Sequence, residues 1–122
     1  ERGNFTFRSG LECAQRLLGP DRTITALVCA NDQMASGAIA VCLQRGLVIP
    51  RDLSVIGYDN IPFARYISPK LTTVNNPIHE MGKMAAKVFL EQINSTEQLK
   101  IEKKVVLVPE LLKRKSSNKL KL

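Results

Sequence analysis

Asn31 and Asp59 are the residues of this chain best suited to hold a ligand. Each closes an apolar run, Leu27-Val28-Cys29-Ala30 before Asn31-Asp32 and Val55-Ile56-Gly57-Tyr58 before Asp59-Asn60. Such abrupt endings are characteristic of a parallel α/β sheet, where helices cover both faces and ligands reach only the carboxyl ends of the strands. A side-chain amide and a carboxylate on neighbouring strand ends supply donors and acceptors on a rigid edge, which suits a small polyhydroxy ligand. This is binding chemistry rather than bond-breaking chemistry. Both residues also have structural uses, since Asn31 can cap a helix and Asp59 can end a strand through an Asx turn. Asp32, next to Asn31, reads as an anchor for the first helical turn through the helix dipole.

Catalysis finds little support. His79 is the single histidine, and neither a G-x-S-x-G nor an H-E-x-x-H pattern accompanies it. Hydrolysis by Ser36 or Ser54 would require His79 and a carboxylate to converge from separate segments. His79 is better read as a surface helix position, so no enzyme, metal site or cofactor is expected. Cys13, Cys29 and Cys42 form no C-x-x-C pair, and reduced, buried roles are expected for them.

An apolar content of 44% over 122 residues allows one domain with a real core. Aromatic residues make up only 5%, without Trp, which argues against a base-stacking surface. The net charge of +7 is unevenly spread: residues 1 to 99 carry ten basic and nine acidic side chains, and the rest of the excess lies from Lys100 onward. The body is nearly neutral, and the basic end reads as a solvated polar tail. No run of 18 apolar residues or signal-peptide core is present, so a soluble chain with no membrane contact is expected. The start at Glu1, without Met, suggests truncation.

The elements that must position Asn31 and Asp59 follow from periodicity. Asn4 to Phe7 alternates like a short strand, and Leu11, Ala14, Leu17 and Leu18 share one face of a helix over 9–18 that Gly19-Pro20 ends. Thr23 to Ala30 is a β-branched and apolar run expected to be a strand buried on both faces. A helix over 32–45 follows, closed by Gly46, and Pro50-Arg51-Asp52 leads into a parallel strand over 53–57. Pro62 and Pro69 limit the next stretch to a turn or two of helix, before a short strand over 71–74. Asn76-Pro77 reads as a cap with proline in the first helical position, opening a helix to about Ile93 along Ile78, Met81, Ala85 and Val88. Lys104 to Pro109 is the expected last strand. The fold class is α/β, a parallel sheet with flanking helices.

Three ordered segments, Ala30-Asn31-Asp32-Gln33-Met34-Ala35, Pro50-Arg51-Asp52-Leu53-Ser54-Val55-Ile56-Gly57-Tyr58-Asp59-Asn60-Ile61 and Ser68-Pro69-Lys70-Leu71-Thr72-Thr73-Val74, resemble the effector-binding core of LacI/GalR-type transcriptional repressors. The ending Leu111-Leu112-Lys113-Arg114-Lys115-Ser116 is similar to that family's last segment, and Asp59 to Tyr66 looks most like galactose-operon regulators. The resemblance implies a partial periplasmic-binding-protein-like fold, comprising the second of two subdomains plus the crossover helix and strand. Residues 1–112 would form the carboxy-terminal portion of a sugar-type effector-binding and dimerisation domain, and 113–122 a basic tail, without the amino-terminal DNA-binding domain. The effector contacts carried over are Asn31, Asp59 and, just after the L-T-T segment, Asn76, each hydrogen bonding to ligand hydroxyls. Asn76 is also an expected helix cap in its own right. The partners implied are a sugar or nucleoside-like effector, a second copy of the chain, and operator DNA through the missing domain alone. The small residues Ala35, Ser36, Gly37 and Ala38 are the expected neighbourhood of the dimer interface. A periplasmic-type sugar-binding protein for transport is the alternative, because it shares the architecture.

Overall fold

The computed structural model describes residues 1–19, 24–94 and 104–119. Helix α1 spans Phe7–Leu17, strand β1 Ala26–Val28, helix α2 Asp32–Gln44 and strand β2 Ser54–Tyr58. A 3-10 turn at Pro62–Arg65 leads to β3, Thr72–Asn75, then to α3, Ile78–Asn94, and to β4, Glu110–Leu112. The sheet order is β1-β2-β3-β4. The first three strands are parallel, with Leu27 opposite Val55 and Gly57 opposite Thr73. β4 is antiparallel to β3, with Val74 opposite Leu111. The expected α/β class with a parallel sheet is present, and one edge strand is reversed.

α2 forms because Asn31 caps it and an almost unbroken apolar and small-residue face follows, with Ala35, Ala38, Val41 and Cys42 buried. It packs on β1 and β2, joining Leu27, Leu53, Val55 and Leu71 in one core. α1 lies across α2 so closely that a side chain at Gly37 would meet the Phe7 carbonyl and the Leu11 amide. The small-residue stretch Ala35 to Ala38 is therefore taken up by α1 within the chain. At the far end of α2, Gly46 has φ +70, a left-handed stop that glycine reaches without Cβ strain.

Several boundaries differ from expectation. Asn4 to Phe7 is not a strand: Phe5 has φ +66, and the Thr6 hydroxyl accepts the Ser9 amide at 3.2 Å, so the capped helix starts at Phe7. The first strand is Ala26–Val28 and is buried on one side only, Leu27 being covered while Val28 is 79% exposed. β1 is an edge strand with α2 on one face, and Thr23 of the expected run lies outside the described residues. α3 begins at Ile78, one residue past Pro77, so Asn76 lies just outside the capping position.

The apolar periodicity of α3 is real, but none of its described residues is buried. Met81, Met84, Val88 and Phe89 instead line a groove of about 440 Å³ with Val105 and Leu107. The expected strand over 104–109 is irregular backbone, and pairing starts at Glu110. Pro109 has no amide to donate to a ladder, and Val105 and Leu107 face the α3 groove rather than the sheet. The charged end is not solvated throughout. Ser116 is fully buried, its carbonyl accepting the Val55 amide at 2.8 Å and its hydroxyl accepting the Thr72 amide at 2.8 Å.

Candidate functional site

The carboxyl ends of β1, β2 and β3 lie side by side, and each is followed by one of the expected ligand residues: Asn31, Asp59 and Asn76. The parallel register forces this, since three strands running the same way discharge their polar successors at one edge. The edge is held by Asp32. Its carboxylate, only 1% exposed, accepts the Thr73 hydroxyl at 2.5 Å and the Ile61 amide at 2.9 Å. It thereby fastens the start of α2 to β3 and to the loop after β2. Gly57 makes room for it, because a Cβ there would collide with the Asp32 carboxylate. Burial pushes the Asp32 pKa up, the Thr73 and Ile61 bonds pull it down, the Asp59 charge raises it and Arg114 lowers it. Asp32 is structural, as read from sequence, but it ties three segments rather than anchoring one helical turn.

Asn31 does cap α2, its Oδ1 accepting the Met34 amide at 2.9 Å. Its Nδ2 donates to the Phe5 carbonyl at 2.8 Å. One lone pair and one N–H of the amide remain for a ligand. Asp59 stands at φ +98 and Asn60 at φ +54, a left-handed pair fixed by the Asp59 amide bonding the Val74 carbonyl at 3.0 Å. Among the described residues no donor reaches the Asp59 carboxylate, while the Asn60 side chain bonds Asn75 Oδ1 at 2.8 Å. Asn76 is half-buried where β3 leaves the sheet. Phe5 was not singled out from sequence. It is 62% exposed, held in a left-handed conformation, and tied by its carbonyl to Asn31 at this same edge. An isolated Phe before a helix carries no signal of that kind; only the fold brings it to Asn31.

The residues considered for hydrolysis have other work. Ser36 is buried and donates to the Asp32 carbonyl at 2.7 Å, Ser54 donates to the Asn118 carbonyl at 3.4 Å, and His79 is exposed on α3. The three cysteines are free thiols, Cys13 and Cys42 buried and Cys29 half-buried. Among the described residues no helix is long and apolar enough to cross a membrane.

A mostly parallel sheet that gathers polar residues at its carboxyl edge defines a class, and the chain belongs to it: residues 3–117 match the periplasmic binding protein-like domain family, here of the kind found in LacI/GalR-type regulators. The HTH-type transcriptional repressor PurR of Haemophilus influenzae is 40% identical over 115 residues, covering 93% of this chain and 34% of the relative. The chain thus spans about a third of the length of the curated relatives it matches. A LacI family transcriptional regulator from Enterococcus faecium, solved with bound ribose, superimposes with TM-score 0.84 at 38% identity, covering 98% of this chain and 43% of that one. A second, from Enterococcus faecalis and also with bound ribose, gives TM-score 0.88 at 30% identity over 98% of this chain and 43% of the other.

Proposed function

We propose that this chain is the carboxy-terminal portion of the effector-binding domain of a ligand-responsive transcriptional regulator. Asn31, Asp59 and Asn76 hydrogen bond the hydroxyls of a small sugar or nucleoside-like effector. The observation that carries this reading is the Asp59 carboxylate, which no donor reaches among the described residues and which stands on a left-handed backbone at the strand-end edge. It is next in order to an Asn31 amide with a donor and an acceptor to spare. Backbone held in a sparsely populated region concentrates at functional sites. Bound ribose in two structural relatives supports a sugar-like ligand, and Phe5 offers an apolar ring beside the polar groups.

The full regulator works as a cytoplasmic homodimer. The effector is gripped between this edge and a facing subdomain, and operator DNA is bound by a separate amino-terminal domain. Ligand contacts made only in the closed arrangement shift the population toward it, and that shift changes operator affinity. The work is allosteric, with no catalytic step and no cofactor.

The test is titration of the full-length protein with ribose, galactose and inosine, in parallel with Asp59→Asn. The substitution keeps shape and tolerance of the left-handed backbone but removes the charged acceptor. We expect it to weaken the sugar that binds by about tenfold or more, as for loss of a charged hydrogen bond, and to leave ligand-free operator binding intact. Unchanged affinity in Asp59→Asn would refute the assignment of this edge.

A further inference from the structure

Arg114 lies two residues past the end of β4, half-buried, in the stretch that carries much of the chain's positive charge. Its Nη1 donates to the Leu71 carbonyl at 2.8 Å and its Nη2 to Asn60 Oδ1 at 2.6 Å. Its own amide donates to Thr72 Oγ1 at 2.9 Å. One planar guanidinium therefore spans the entry to β3 and the turn that leaves β2, a two-pronged grip that suits the fixed fork of arginine. Asn60 is the second of the two left-handed residues. Its other bonds, amide to Thr73 Oγ1 at 3.3 Å and Nδ2 to Asn75 at 2.8 Å, join neutral partners. The Arg114 bond is the short, charge-assisted one. Asp59 has no side-chain tether among the described residues, so its direction depends on how firmly Asn60 is held.

We propose that Arg114 is a positioning residue for the ligand edge: by gripping Asn60 it holds the Asp59–Asn60 turn and aims the Asp59 carboxylate. The role of the turn in binding rests on the effector-site reading above, whereas the grip itself does not. It also gives the segment after β4 a direct mechanical link to the ligand edge, so displacement of that segment moves Asp59.

The experiment uses the full-length protein and three variants, Arg114→Met, Asn60→Gly and the double variant. Glycine accepts the φ of Asn60 and removes only the gripped side chain. In ligand-free hydrogen–deuterium exchange, Arg114→Met is expected to speed exchange severalfold in the peptide covering 57–62, with α2 unchanged. In ribose titration it is expected to weaken binding about tenfold, and the double variant should bind as Asn60→Gly does. Unchanged exchange at 57–62 overturns the proposal. So do losses that simply add in the double variant, because Arg114 then acts by general stabilisation rather than through Asn60. Faster exchange at 57–62 in a protein whose wild type ignores ribose supports the grip and counts against ribose as the effector.

Discussion

Replacing Asp32 by asparagine tests whether the carboxyl edge of the sheet is held by one buried carboxylate. The substitution preserves shape but leaves a single acceptor where two donors converge, the Thr73 hydroxyl at 2.5 Å and the Ile61 amide at 2.9 Å. If the new side-chain carbonyl keeps the Ile61 amide, its NH2 group faces Thr73, whose oxygen already accepts the Asn60 amide at 3.3 Å, and the hydroxyl hydrogen loses its partner. An orphaned buried donor costs about 1–3 kcal/mol, and removal of the buried charge returns part of that. We expect a net loss of about 1–2 kcal/mol at neutral pH, or a thermal midpoint lower by about 2–8 °C in a protein of a few hundred residues.

The pH dependence is more telling. Burial raises the Asp32 pKa, so the folded protein binds this proton more readily than the unfolded chain. Its contribution to stability is thus largest in acid and is lost as pH rises through the folded pKa. Asparagine does not titrate. The lead of wild type over Asp32→Asn should therefore widen as the pH falls from neutrality toward the ordinary aspartate range. Matched thermal melts of both proteins across that range are the assay. A lead that narrows on acidification would show Asp32 to be an ordinary low-pKa carboxylate and refute the reasoning.

Gly57→Ala should destabilise the protein by about 2–4 kcal/mol, because the new methyl displaces Asp32 from both its donors and meets Leu71 Cδ2 at 2.9 Å. Denaturant midpoints check this, and recovery of part of the loss on adding Asp32→Ala would identify the carboxylate as the obstacle. Burial pushes the Cys29 and Cys42 thiols up to about 11, so at about pH 8 only on the order of one in a thousand is thiolate. Iodoacetamide should label them far more slowly in the folded protein than in denaturant, and equal rates would contradict their burial.

The candidate site was legible because each relevant strand ends on a change of residue type. Leu27 to Ala30 before Asn31, and Val55 to Tyr58 before Asp59, mark strand ends without knowledge of which strands are neighbours. The helix read over 32–45 was equally plain from its cap and apolar face, and it ends one residue earlier, at Gln44. Periodicity also marked α3, but not what covers it: an apolar stripe states that a face needs a partner without saying where the partner comes from. The stretch 104–109 misled for a related reason, since β-branched residues suit a groove beside a helix as well as a ladder.

Local sequence set the strand ends, the Asn31 cap and the polar residues that follow the strands, because these depend on side-chain chemistry and spacing within a few residues. The rest required distant segments to meet. Asp32 became a tie between three segments only when β3 brought Thr73 to it, 41 residues away. The basic end became part of the core because Ser116 fits between Val55 and Thr72. Phe5 reached the carboxyl edge of the sheet because α1 folds onto α2 and Asn31 captures its carbonyl. Each of these is a long-range hydrogen bond or a close approach of backbones, whose energy comes from the pairing rather than from either segment alone.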